Sequence, residues 1–204
     1  MKKIALFLAA ILLAGSGMAS AQQNTLSAKQ MKEITKDAKK QAKELARQGW
    51  QISGPVSMER AIEDALVRIA NGAEPITGEV TGRRDIVVAR TAARNAAINQ
   101  YVETSQSMVK AHIETELGAV NEEDINNLVA GYERVAVKEI DGEFKHVYSL
   151  TRNVGGRYDV QSLFVVDPDA AAAARRRALK SAAEEADLIN KYGDKIKDFI
   201  NSGF

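Results

Sequence analysis

The chain holds two histidines, His112 and His146, and no cysteine. That composition excludes a cysteine nucleophile and any cysteine-ligated zinc or iron–sulfur centre. His112, Glu114 and Glu116 form the tightest group of metal-ligating types, and His112 and Glu116 stand four apart, which places them on one helix face. A catalytic zinc usually takes three protein ligands, and the other histidine, His146, falls on an expected strand. His112 also lies in an apolar stripe, where a packed and hydrogen-bonded imidazole is commoner than a ligand. With no third ligand and no orienting motif in view, no metal, catalytic or cofactor-binding residue is assigned. Serine hydrolase chemistry lacks its G-x-S-x-G turn. Gly155-Gly156 and the glycines between Gly72 and Gly82 lack the Gly-Lys-Ser/Thr ending of a phosphate loop and read as turns.

Charge offers a second kind of chemistry. The stretch from Lys29 to Arg47 carries seven basic residues against Glu33, Asp37 and Glu44, a net of +4. Lys36, Lys40 and Lys43 mark a candidate cationic face for anionic lipid, lipopolysaccharide or another envelope polymer. A solvated helix face is the competing reading, and the apolar stripe opposite is too narrow to insert deeply into a bilayer. Arg175, Arg176 and Arg177 span more than half a helix turn and are expected to point at different partners. Trp50, Tyr148 and Tyr158 are the candidate ligand-contacting aromatics, and for Trp50 a core plug is the competing and preferred reading. The 28 basic and 27 acidic residues nearly balance, which leaves no global footprint for nucleic acid.

These side chains need elements to hold them, and the first segment decides where those elements go. Lys2-Lys3, the apolar run Ile4 to Ala14 and the small-x-small triplet Ala19-Ser20-Ala21 read as a secretory signal over residues 1–21, cleaved after Ala21. The run is too short to span a bilayer, so no transmembrane span is expected in the processed chain. Export and the absence of cysteine suit an oxidising compartment, and the periplasm is the expected location. Leu13-Ala14-Gly15-Ser16 resembles a lipoprotein box with serine in place of the lipidated cysteine, so no lipid anchor is expected.

Residues 22–48 read as a charged N-terminal helix, capped by Ser27 and striped by Met31, Ile34, Ala38, Ala42 and Leu45. Residues 49–167 read as an α+β domain. Trp50 to Ser53 is extended, and Ser57 caps a helix that ends at Asn71-Gly72. Ala73 to Gly82, broken by Pro75 and two glycines, reads as a loop or a brief strand. A long alanine-rich helix follows from Arg84 to Leu117, then a short one from Asn121 to Leu128. Period-two alternation predicts strands over Tyr132–Ile140, Phe144–Arg152 and Arg157–Val166, joined by turns at Asp141-Gly142 and Asn153–Gly156. The expected fold is therefore α+β, the long helix lying on a three-stranded antiparallel meander, with additional N- and C-terminal helices. Residues 168–204 form the C-terminal helical extension, opened by Asp167-Pro168-Asp169 and interrupted at Gly193.

Two stretches carry a resemblance. One is Leu45-Ala46-Arg47-Gln48-Gly49-Trp50 with the helix containing Glu59. The other is Ala89-Arg90-Thr91-Ala92-Ala93-Arg94-Asn95-Ala96-Ala97 with the strands up to Val166. Together they resemble small bacterial envelope lipoproteins of the Lpp-twenty type, whose domain is similar to the N-terminal domain of the flagellar T-ring protein. The resemblance implies a small α/β domain of the envelope without catalytic apparatus; the missing lipid cysteine departs from it. The function expected is that of a non-catalytic periplasmic structural or interaction protein, not an enzyme. Its expected partner is another envelope protein, an envelope polymer or a second copy of itself. The alternative is a small-ligand-binding module with a pocket between the long helix and the sheet, near Trp50, Tyr148 and Tyr158.

Overall fold

The computed structural model describes residues 26–116, 121–141 and 143–202. The expected signal segment and its cleavage point, Gly118 as the expected end cap of the long helix, Gly142 of the expected Asp141-Gly142 turn, and the last two residues lie outside them. The first helix, α1 (Ala28–Arg47), starts at a reciprocal cap: the Gln30 amide donates to Ser27 Oγ at 3.3 Å and the Ser27 amide donates to Gln30 Oε1 at 2.9 Å. After β1 (Gln51–Ile52), Ser57 caps α2 (Met58–Ala70) through the Arg60 amide at 3.2 Å. Ala38 of α1 packs with Ile62 and Leu66 of α2, so the two helices bury their apolar stripes on each other.

β2 spans Glu74–Arg83, and α3 runs from Ile86 to Glu116. α4 (Glu122–Asp141) precedes the hairpin β3 (Lys145–Val154) and β4 (Arg157–Val166). The chain ends in α5 (Pro168–Glu185), α6 (Leu188–Tyr192) and α7 (Asp194–Ser202). Asp167 caps α5 with Pro168 in its first turn, and Gly193 separates α6 from α7 as expected. The β3–β4 turn is Gly155-Gly156, both at positive φ (59° and 75°), the conformation a two-residue hairpin needs and glycine supplies without strain.

The sheet is antiparallel throughout but has four strands, in the order β1-β3-β4-β2. The expected three-stranded meander is thus corrected in two places. Tyr132–Ile140 is not a strand; it is the second half of α4. Ile125, Leu128, Val129, Tyr132, Val135 and Ala136 satisfy a helical repeat over a longer stretch than the alternation that suggested a strand. The place beside β4 is taken by β2, the segment that Pro75 and its glycines made look like a loop or at most a brief strand, and which is a ten-residue strand. β2 is an edge strand, where a proline's missing N–H is tolerated.

Gly78 has a positive reason to be glycine. A β-carbon there would sit 1.7 Å from the Ala93 carbonyl oxygen and 2.9 Å from the Ala97 nitrogen. The helix backbone therefore lies directly on the strand, as the alanine spacing suggests: Ala89, Ala93 and Ala97 are all fully buried. The even-numbered residues Val160 and Phe164 of β4 meet α3, while Tyr148 of β3 packs against α1 and α2 on the opposite face. The second half of α3 leaves the sheet and builds a helical core with α4, α5, α6 and α7. Tyr101, Val109, Ile113, Tyr132, Leu179 and Phe199 lie inside it.

Candidate functional site

The aromatic trio does not assemble. Trp50, 9% exposed, lies under the Arg152 guanidinium, whose carbon is 4.7 Å from the ring centroid. Arg152 in turn pairs with Asp159 at 2.8 Å, and Asp159 accepts from the Gly82 amide at 3.0 Å. Tyr148 is packed among Ala38, Ile62 and Leu66, and burial pushes its hydroxyl up to about 12. Tyr158 packs on Ala89 and Ala93, on the other side of the sheet. All three serve as packing between the sheet and its neighbours.

The histidines are also apart. His112 Nδ1 and Glu116 Oε1 lie 3.6 Å from each other on a half-exposed part of α3. At 1.5 Å per residue, Arg94, the α3 residue closest in charge to His146, is about 27 Å further back along the helix. Among the described residues, no three His, Asp or Glu side chains gather as a metal site.

The structure does hold a cleft between the long helix and the sheet, lined by residues other than the expected aromatics. It measures about 450 Å³. Arg90 and Arg94, one turn apart on α3, form one wall; His146, Ser149, Ser162 and Phe164 form the other. Arg90 donates to Ser53 Oγ at 2.9 Å, and the Arg94 guanidinium sits 5.9 Å from the centroid of the Phe164 ring. A bulge in β3 assembles the second wall. His146 pairs with Phe164 and Tyr148 with Leu163, so Val147 is the extra residue. Without it, residues three apart on a strand face opposite ways. With it, His146 Nε2 and Ser149 Oγ meet at 2.8 Å, and Ser149 Oγ meets Ser162 Oγ at 2.8 Å. Partial burial, followed by the charges of Arg94 and Arg90, holds the His146 imidazole below its ordinary pKa. Nothing in the sequence alone marks this bulge, so a pocket between helix and sheet could be expected from the sequence but not with these residues.

The cationic face, by contrast, is where the sequence placed it. Lys29, Lys32, Lys36, Lys40, Lys43 and Arg47 recur at steps of three and four along α1, and all are exposed. Lys39 lies beside the row and is exposed as well. The apolar stripe that packs on α2 occupies the opposite side. Among the described residues no lysine of α1 is ion-paired; Arg47 lies 3.8 Å from Glu44. The row is about 27 Å long at 1.5 Å per residue. The three arginines of α5 behave differently. Arg175 reaches the Tyr101 hydroxyl at 3.0 Å and Arg177 reaches Glu139 at 2.8 Å and Glu143 at 3.3 Å, while Arg176 faces solvent.

No helix among the described residues is long and apolar enough to cross a membrane. No family model, no curated protein and no solved structure matches the chain.

Proposed function

We propose that this protein is a non-catalytic interaction protein of the bacterial periplasm, and that it docks through the lysine face of α1 on an anionic membrane surface. The observation that carries this reading is the one-sidedness of that helix. Its apolar side is consumed by α2, so the helix is held firmly, and its opposite side offers to solvent a straight row of ammonium groups that have no ion pair among the described residues. Basic residues close to an anionic bilayer each contribute on the order of 1 kcal/mol of attraction, diminished by salt. Glu33, Asp37 and Glu44 offset part of it, so the helix's net charge of +4 corresponds to about 4 kcal/mol. That is enough for reversible association and too little for a permanent anchor, consistent with a serine where a lipoprotein carries its acylated cysteine. The leader-like residues Lys2 to Ala21 and the resemblance to envelope lipoproteins support the same address.

The test is cosedimentation with phosphatidylglycerol-containing vesicles against phosphatidylcholine vesicles. The chain is expected to bind only the anionic ones, and Lys36→Glu, Lys40→Glu and Lys43→Glu combined is expected to abolish binding. Equal partition onto both vesicle types, or undiminished binding of the triple variant, refutes the reading.

A further inference from the structure

We propose that the cleft between α3 and the β3–β4 hairpin is a second, separate binding site, for a small ligand with a phosphate or carboxylate headgroup on an apolar body. It opens on the α3 face of the sheet, opposite α1 and its lysines, so one site does not depend on the other.

The lining chemistry selects the headgroup. Arg90 and Arg94 project from successive turns of one helix toward the same space, and no carboxylate lines the cleft among the described residues. Two guanidinium forks in that arrangement suit an oxyanion, which accepts paired N–H bonds from each. The volume of about 450 Å³ leaves room beyond the headgroup, and the largely buried Phe164 ring forms part of an apolar floor there.

The hydroxyl relay adds a donor that only an acceptor ligand uses. His146, Ser149 and Ser162 are joined by two hydrogen bonds. With the imidazole proton on Nδ1, the two hydroxyl protons are spent inside the chain: Ser162 donates to Ser149, and Ser149 donates to Nε2. With the proton on Nε2, the imidazole donates to Ser149, Ser149 donates to Ser162, and the Ser162 hydroxyl is left free to donate into the cleft. An anionic headgroup at the arginines favours the second arrangement. It also favours a protonated imidazole, since the negative charge opposes the repulsion from Arg90 and Arg94 that the ring otherwise feels.

The experiment is an NMR titration of the ¹⁵N-labelled full chain with inorganic phosphate, phenyl phosphate and benzoate in parallel. Saturable shifts are expected at Thr91, Ser149 and Gly54, with phenyl phosphate or benzoate binding more tightly than inorganic phosphate because of Phe164. The phenyl phosphate and benzoate arms identify which headgroup the site prefers. Arg90→Gln with Arg94→Gln is expected to lower affinity about tenfold to a hundredfold. Arg94→Lys, which keeps the charge and loses the fork, is expected to fall between, and the dispersed spectrum of each variant reports that it is folded. The His146 ring protons are expected to titrate at higher pH with ligand than without. The lysine-to-glutamate variant of α1 is expected to bind the same ligands unchanged. Absence of saturable shifts with all three probes overturns the proposal. So does binding that survives loss of both arginines, or binding that follows the α1 lysines instead.

Discussion

Replacing Gly78 with alanine adds one methyl group at the tightest crossing in the molecule. The new carbon would lie 1.7 Å from the Ala93 carbonyl oxygen, 2.7 Å from the Ala93 carbonyl carbon and 2.9 Å from the Ala97 nitrogen. Ordinary carbon–oxygen contact is about 3.3 Å, so helix and strand must separate by about 1.5 Å. All three neighbours are backbone atoms of α3, and no rotamer change relieves the clash. Separation would loosen Ala89, Ala93, Ala97 and Val160, now essentially inaccessible to solvent. Overpacking costs about 1–3 kcal/mol where side chains can adjust, and the rigid neighbours here place the cost at or above about 3 kcal/mol. With a urea dependence of about 2 kcal/mol/M, the unfolding midpoint should fall by about 1.5 M. Gly131→Ala is the internal control. Its methyl would meet the Ala182 β-carbon at 3.1 Å, a contact that a few tenths of an ångström relieves, and alanine's helix-propensity gain of about 1 kcal/mol inside α4 offsets that strain, so it should be near neutral. Urea unfolding followed by circular dichroism decides the matter. A Gly78→Ala midpoint equal to that of the native chain, or a smaller loss than that of Gly131→Ala, would show that α3 does not lie on β2 as described.

Three further outcomes follow from buried polar groups. Asp159→Asn keeps an acceptor for the Gly82 amide but removes the charge that holds Arg152 over Trp50; a loss of about 2 kcal/mol is expected in the same unfolding assay. The fully buried Tyr132 hydroxyl makes no well-formed hydrogen bond among the described residues and has the buried Ser105 hydroxyl beside it, so Tyr132→Phe should change stability by less than about 1 kcal/mol, and a larger loss would reveal a full bond to Ser105. His146 has a lowered pKa in the folded chain, caused by partial burial and by Arg94 and Arg90 facing it from α3. The unfolded chain therefore takes up that proton first as pH falls. Its contribution is present above the ordinary histidine range and is lost progressively below it. Stability should decline from neutral to mildly acid pH, and His146→Gln should flatten that part of the profile; an unchanged slope would exclude His146 as its source.

The elements that announce themselves locally were legible. Ser27, Ser57 and Asp167-Pro168 cap α1, α2 and α5, and the Gly-Gly pair with its Val-, Tyr- and Phe-rich flanks marks the β3–β4 hairpin. The misreadings arose where tertiary contacts set the meaning of a residue. Pro75 and Gly78 break a strand in isolation, yet an edge position accommodates the first and the close approach of Ala93 requires the second. In α4, Val135 and Val137 alternate in sequence with Arg134 and Lys138 as in a strand, while Leu128, Tyr132, Val135 and Ala136 fit a helical repeat, and packing against α5 through Gly131 and Ala182 selects the helix. The cationic face could be read because it belongs to one helix. The residues of the cleft could not, because it joins Arg90 and Arg94 of α3 to side chains of two strands, His146 and Ser149 of β3 being brought to one face by a bulge.

The proposed docking on a membrane is tested most directly by the chain's lack of cysteine, since one introduced thiol carries one label. Ala46 is exposed, three residues from Lys43 and seven from Lys39 on the cationic side of α1. Val87 is 66% exposed on α3, across the sheet. With a polarity-sensitive fluorophore at Ala46→Cys or Val87→Cys and anionic vesicles added at low salt, the account predicts that the Ala46 label is shielded from water while the Val87 label stays solvated. A response at Val87 with none at Ala46, or no response at either, would contradict it.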